Sequence, residues 1–490
     1  MKLKFLLLFL ALFMQFSCNK WMELLPPEGL TKDEFWKTKE DVQAVLMGTY
    51  NALASMDDLF FKYGEMRGDL VKGDYNLAGD EQKIMAGNIY PDNGMNNWSK
   101  FYQVINYCNE IIVNAPIVQG KDKTFTDYQL KSDLSEAYYI RSLCYFYLVR
   151  IYKDVPLVLE PTKNDATNVY PFKSDADTVL TQIVKDLKVY RTYASNSFPT
   201  IMETKGRVTR AAYDALLADI SLWNFDYNSC ISYCENIEGA NLFSLGDPQN
   251  WYDNYFPGNS LESIFELQYS NSLGQKNHTY DLTQTLIAPT YRPSDKVSLI
   301  MFAQVDATSE SFRAIGSIQK NNATSYTIWK YIGMRADGVS VRPAIIQNSC
   351  GWIVYRLADV LLMKAEALSQ LGRYSEAQTP LWKVRKRAGV SQDLLPNTPD
   401  KSEDVILDER ARELAFEGKR WFDLLRLGRR NNFSRKLDLV DIILSNVPAT
   451  QKRILKVKLA NPLGWYLPIA KDELERNKNL VQNPYYYVSQ

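Results

Sequence analysis

A mostly α-helical chain, built on tetratricopeptide-like helix pairs with a loop-rich subregion and minor β structure, is predicted by three observations. Apolar residues recur at i, i+3 and i+4 over long stretches. Two such stretches late in the chain are joined by a short glycine-containing turn within about 34 residues, the geometry of a tetratricopeptide unit. The segment from about 239 to 350 loses that period and gains Asn, Ser, Thr, Pro and Gly.

The elements follow in order. Thr31-Lys32-Asp33-Glu34 has the form of a capping box, where hydroxyl and carboxylate satisfy free helix-start amides, and Val42, Val45, Leu46 and Leu53 supply the apolar stripe behind it. Further helices are predicted from Trp98 to Val113, Tyr128 to Tyr152, Asp175 to Tyr190 and Thr209 to Phe225. In Tyr355 to Leu371 the residues Leu357, Leu361, Ala365, Leu368 and Leu371 form one stripe, ended by Gly372. Ser375-Glu376-Ala377-Gln378 reads as a second capping box, opening a helix whose facing stripe is Ala377, Leu381, Val384 and Ala388. Such pairs bury their faces only by stacking side by side. Between the two helical regions, Ser263-Ile264-Phe265-Glu266-Leu267 is a short β-like run in an irregular stretch, and so long an irregular stretch is usually functional.

Composition narrows the function. Lys plus Arg and Asp plus Glu stand at 57 each, so no long-range field favours nucleic acid. Aromatic residues reach 13%, with 31 Tyr and 10 Trp, rings that suit cores and also flat apolar ligand faces such as sugars. The single histidine, His278, in a polar loop, rules out a histidine metal triad and leaves one residue for any histidine base. No phosphate loop, dinucleotide glycine pattern or zinc-protease motif is present, and no cofactor is implied. Two carboxylates suffice for a glycosidase, and the acidic residues leave that chemistry open.

Lys2 and Lys4 followed by the apolar run Phe5 to Met14 read as a targeting segment too short to span a bilayer. Ser17-Cys18 behind it resembles a lipobox, so residues 1–17 are expected to be a signal peptide, and 18–490 a single domain tethered by lipid at Cys18. The remaining five cysteines cannot form a complete disulfide framework. Cys230 and Cys234 lack a second pair for zinc, and these cysteines read as small apolar residues inside helices.

Trp21 to Pro27, Gly48 to Leu53, Arg141 to Leu157, Tyr355 to Ala367, Glu409 to Leu424 and Tyr466 to Ile469 together resemble the SusD/RagB family of outer-membrane nutrient binders. Trp21 to Pro27, Phe35-Trp36-Lys37-Thr38 and Gly48 to Leu53 are similar to its amino-terminal signature. Arg141 to Leu157 resembles its longest tetratricopeptide helix and exit turn, and Gly206 to Arg210 the start of the next. Tyr355 to Ala367, Glu409 to Leu424, Tyr466 to Ile469 and Asn483-Pro484 resemble its later signatures, so the likeness covers nearly the whole chain in order. It departs after Cys18, where one acidic residue, Glu23, stands where surface-exported lipoproteins often carry several. The resemblance implies helix pairs within about 36–238 and 352–428, an irregular insert at about 239–350, and a lipid-anchored glycan binder at the cell surface. It also implies a SusC-like TonB-dependent transporter as partner. Peptide capture, as in the RagB branch, and a surface glycosidase are the alternatives.

In the resembled family, ligands dock on loops of the amino-terminal third and the insert. The corresponding residues are Tyr75, Asn97 and Trp98 in the first and Tyr280, Tyr291, Arg292 and Trp329 in the second. Each ring is either a platform or a core residue, and the alternative for Trp98 is to open the helix carrying Tyr102 and Ile105 with its ring buried. From Glu409 to Arg430, Arg410 with Glu413, Arg420 with Asp423 and Asp423 with Arg426 stand at i, i+3, and a structural ion-pair network is favoured over an anion clamp. Lys452, Arg453, Lys456 and Lys458 read as a solvated strand face or a patch for lipopolysaccharide phosphates.

Overall fold

The computed structural model describes residues 35–162, 170–284, 289–302, 312–320, 326–343, 346, 348–390 and 393–489. Residues 1–17, Cys18, the Trp21 to Pro27 segment and the Thr31 to Glu34 capping box lie outside the described residues. Helices of nine residues or more are numbered here: α1 Lys39–Ala54, α2 Asp57–Glu65, α3 Ser99–Lys121, α4 Asp127–Tyr152, α5 Ala176–Tyr190, α6 Arg210–Trp223, α7 Tyr227–Gly239, α8 Leu357–Gln370, α9 Tyr374–Arg387, α10 Pro399–Glu413, α11 Arg420–Phe433, α12 Lys436–Ser445 and α13 Ala449–Leu459. The predicted helical class holds, and the pairs α3 with α4, α6 with α7 and α8 with α9 pack side by side.

Local chemistry explains the boundaries. At the start of α1 the Asp41 carboxylate accepts from Thr38 N–H at 2.7 Å, a capping box at Thr38 and not at Thr31. Helix α3 runs past the expected end at Val113 to Lys121, with Pro116 inside it. Helix α4 is buried on nearly all sides from Ser132 onward, so it is the scaffold's axis. Its Arg150 guanidinium lies 3.9 Å from the Phe146 ring centroid and 4.2 Å from that of Phe422. Near the carboxyl end of the chain, Leu467 N–H donates to the Ile151 carbonyl at 2.8 Å, which ties the closing signature to the end of α4.

Three expectations are corrected. Helix α9 starts at Tyr374 without a side-chain cap, so Ser375 to Gln378 is not its capping box; Gly372, at φ +74°, makes the left-handed stop, and Arg373 pairs with Glu376 at 2.7 Å. Tyr355 and Arg356 end a strand instead of opening α8. The run Lys452 to Lys458 lies on helix α13, where Leu455 and Leu459 turn inward and most of the basic residues face outward.

The β structure is minor and long-range. β1 Val71–Gly73 pairs with β5 Tyr291–Pro293, β2 Val155–Pro156 with β3 Lys173–Ser174, β4 Ser263–Leu267 with β8 Trp352–Arg356, and β6 Ile318–Lys320 with β7 Tyr326–Ile328, all antiparallel. The main core gathers residues from Trp36 to Tyr486. The insert adds a small core of Trp251, Tyr252, Tyr255, Tyr280, Trp329, Ile332 and Ile353. Cys108, Cys144, Cys230, Cys234 and Cys350 are buried free thiols, the last outside a helix.

Buried ions join the parts. Of the three pairs expected between Glu409 and Arg430, Asp423 with Arg426 forms, at 2.9 Å. Arg410 instead reaches Asp423 and Asp359, and Arg420 holds Asp69 through two contacts of 2.6 and 3.0 Å. The reason is competition from other elements, since Glu413 is taken by Arg356, Arg387 and Arg313 and Arg420 by Asp69. Between α10 and α11 Gly418, at φ +71°, lies so close to α2 that a Cβ would sit 2.7 Å from the Phe60 carbonyl oxygen. In the same turn the amides of Gly418 and Lys419 donate to Glu65 at 2.9 and 3.2 Å. Burial pushes the Glu65 carboxyl up to about 8, and those amides pull only partly the other way.

Candidate ligand-binding surface

The two irregular regions meet in space. Pairing of β1 with β5 sets Lys72 opposite Arg292 and Gly73 opposite Tyr291, and Asp74 N–H extends the ladder to the Thr290 carbonyl at 2.9 Å. Period-2 alternation then separates the side chains. Val71 and Tyr291 turn into the core, while Lys72 reaches Asp295 at 2.6 Å on the outer side. Asp74 does two jobs: its carboxylate accepts from Tyr75 N–H at 2.9 Å, fixing the turn, and forms an ion pair with Arg292. The turn therefore projects Tyr75 outward, 91% exposed, beside a held guanidinium.

The next segment is fastened to the short helix Gly79–Met85 that follows the turn. Asp80 accepts from Gly94 N–H at 2.9 Å, and Asn93 donates to the Asp80 carbonyl at 2.9 Å. Asn97 is exposed and its Oδ1 accepts from Ser99 N–H at 2.8 Å at the head of α3. Trp98 is 4% exposed, its ring edge-on to Tyr102 and Tyr152 at 5.6 and 5.3 Å, so it opens the helix buried. It also forms part of the wall of a cleft of about 660 Å³, with Tyr102, Leu157 and Leu480 as apolar sides and Asn106 and Arg476 as polar ones.

The other insert aromatics are packed inside. Tyr291 has no exposed surface, and its hydroxyl lies 3.6 Å from the Met66 sulfur. Tyr280 and Trp329 belong to the insert's own core, where the Trp329 indole donates to the Arg335 carbonyl at 2.5 Å. Tyr75, Asn97 and Arg292 thus have surface to offer a ligand directly, whereas Tyr280, Tyr291 and Trp329 are core rings with no open face to act as platforms, and Trp98 stands at the cleft wall. Asp74, which organises the turn, was not singled out from the sequence; the one available signal was an acidic residue directly before an aromatic in a loop.

His278 lies away from this surface. Its Nδ1 stands 2.9 Å from the buried Asp57 carboxylate, which also accepts from Thr279 N–H at 2.8 Å. That hydrogen bond raises the imidazole above its ordinary value, and the pair serves to dock the insert on the first turn of α2.

Comparison with known proteins bears on the whole chain. The SusD family model matches residues 221–486, and a second model, described as starch-binding associating with outer membrane, matches residues 20–222. SusD-like protein P2 of Formosa agariphila is 25% identical, with 98% of each chain covered. Among solved structures, a SusD superfamily protein from Bacteroides vulgatus superposes with a TM-score of 0.76 at 20% identity, covering 92% of this chain and 100% of the other. A laminarin-binding SusD-like protein does so at 0.72 and 22%, with the same coverage. One family model covers more than half of the sequence, a second the part before it, and the helix-pair scaffold is shared over nearly its full length: the chain belongs to the SusD family.

Proposed function

We propose that this protein is a non-catalytic glycan binder of the outer membrane, lipid-anchored through Cys18 at the cell surface, that delivers its ligand to a SusC-like TonB-dependent transporter. The observation that carries the reading is Tyr75, an almost fully exposed ring beside Arg292 where the amino-terminal third meets the insert. A pyranose packs its axial C–H face on such a ring, and its hydroxyls seek the polar groups of Arg292 and Asn97. So open a surface buries little of its ligand, and the affinity is weak. Tyr280, Tyr291 and Trp329 are core rings and offer the ligand no stacking face. Laminarin binding by one structural relative supports a saccharide as the ligand class.

Calorimetric titration with a panel of oligosaccharides that includes laminarin tests this. Tyr75→Ala is expected to weaken binding by about 1–3 kcal/mol, roughly five- to hundredfold, with an unchanged melting curve. Unaltered affinity in that variant, or binding of peptides in place of saccharides, would overturn the assignment.

The anchor is tested separately. No helix among the described residues is long and apolar enough to cross a membrane, so on this reading membrane retention depends on lipid. Metabolic labelling with palmitate should be lost in Cys18→Ala, and persistent labelling would refute lipidation there.

A further inference from the structure

A second concavity lies at the opposite end of α4 from Trp98. Tyr152, which packs on Trp98, and Tyr128 are 24 positions apart on one helix, so about 36 Å separate them. This concavity, of about 480 Å³, is lined by Asp127, Tyr128 and Lys131 of α4, by the turn Thr192 to Asn196, and by Arg210 at the head of α6. Its walls are rigid. The start of α4 is locked by the Thr126 and Gln129 capping box, which puts Tyr128 and Lys131 on one face. The turn after α5 is held by two contacts of 2.7 Å between Arg191 and Asp214 and by Tyr190 stacked on Tyr138 at 3.7 Å.

Two rings stand open there. Tyr128 is 71% and Tyr193 38% exposed, and neither belongs to a core. Lys131 stands 5.2 Å from the Tyr193 ring centroid and 2.7 Å from Asp127. Lys131 is matched by Asp127 and Arg191 by Asp214, whereas Arg210 makes no direct ion pair among the described residues and only its field reaches Asp214. Arg210 is fixed all the same: its backbone N–H donates to the Ser195 carbonyl at 2.9 Å and its Nη2 to the Thr192 carbonyl at 3.2 Å, while its Nε is buried with no hydrogen-bond partner. Aromatic faces beside a positioned guanidinium that makes no direct ion pair suit a sugar ring that carries an anionic group.

We propose that this concavity is a second saccharide site, specific for sugars bearing a carboxylate or a sulfate. The saccharide class rests on the function proposed above; the site and its charge preference stand on Tyr128, Tyr193 and Arg210. The ring stacks on Tyr193, the anion meets Arg210, and Asn196 and Lys131 are left for hydroxyls. A polysaccharide held at Tyr75 and again here gains avidity through the shared chain.

The test titrates the full-length protein with oligogalacturonate, a carrageenan oligosaccharide and a neutral laminarin oligosaccharide, each also against Tyr75→Ala, Tyr193→Ala and Arg210→Gln, with melting curves alongside. At least one anionic oligosaccharide should bind, with affinity falling as salt rises. Tyr193→Ala and Arg210→Gln should each weaken it tenfold or more at unchanged melting temperature, and Tyr75→Ala should leave it in place. Preference between oligogalacturonate and carrageenan tells carboxylate from sulfate. Absence of anionic binding, binding indifferent to both variants, or binding lost through Tyr75→Ala alone would overturn the proposal. If the Tyr75 reading fails instead, Tyr75→Ala has no effect on any oligosaccharide while the Tyr193 and Arg210 losses remain.

Discussion

Glu413→Gln is expected to destabilise the fold by about 3–5 kcal/mol and to loosen the insert from the helical scaffold. Glu413 Oε1 meets Arg356 at 2.7 Å and Arg387 at 2.5 Å, its Oε2 meets Arg313 at 3.0 Å, and all four side chains are buried. The neighbouring carboxylates serve the same guanidiniums, Glu262 pairing with Arg356 and Arg387, Glu417 with Arg356 and Glu409 with Arg313, but Glu409 is also shared with Arg385 and Arg412 and Glu417 with Lys330. Burial alone would raise the Glu413 carboxyl, but Arg387, Arg356 and Arg313 hold it well below the usual carboxylate range, so it is charged at neutral pH. The amide of Gln keeps the shape and removes the charge. Three guanidiniums then share a dry site with too little compensation, and this desolvated excess is the source of the cost, since an intact buried network is itself nearly neutral against apolar packing. Because Arg313 and Trp251, whose indole donates to Glu413 at 3.3 Å, come from the insert while Glu413 ends α10, proteolysis should reach the 239–350 region first. A thermal melt with timed proteolysis reads both effects. A melting temperature and cleavage pattern matching the parent protein would mean the charge is not needed.

What was legible in the sequence follows the range of the interaction. Helices α3 to α6 and α8 are encoded by apolar spacing within a few residues, and the expected and observed spans agree to within a turn except where α3 continues through Pro116. β1 and β5 are three residues each and pair across more than two hundred positions, so no local pattern announces them. The same holds for the site. Tyr75 and Tyr291 look alike as residues near loops, and only the β1 to β5 register sends one to solvent and the other into the core. Trp329 is likewise a core ring because Tyr252, Tyr280 and Ile332 close around it. The family likeness supplied the order of the segments, but not which ring faces outward. The basic run at Lys452 reads as a strand face because Leu455, Val457 and Leu459 alternate with Lys456 and Lys458. Helix α13 won through Leu455 and Leu459, four residues apart, both of which turn inward.

Arg420→Ala is expected to cost about 3 kcal/mol, at the low end for removing one partner of a buried pair, while leaving ligand affinity of the folded protein unchanged. Arg420 and Asp69 are both buried and joined twice, and Arg420 Nη1 also donates to the Leu407 carbonyl at 3.2 Å, so one side chain ties the chain before β1 to the start of α11 and to α10. The cost is moderated because Lys296 also reaches Asp69, at 2.7 Å. Affinity should survive because the Tyr75 turn is held by its own Asp74 and Arg292 pair and by the β5 ladder. Burial alone would raise the Asp69 carboxyl from 3.8, but Arg420 and Lys296 bring it down to about 2. A depressed carboxylate stabilises the fold above its ordinary value, and that contribution fades as pH falls through the folded value. The difference between parent and variant should therefore be widest at neutral pH and should shrink from about 3.8 down towards 2. Denaturant titrations across that range check the sign. A gap independent of pH would assign the loss to packing of the Arg420 stem, and lost binding at full stability would place Arg420 in the ligand site.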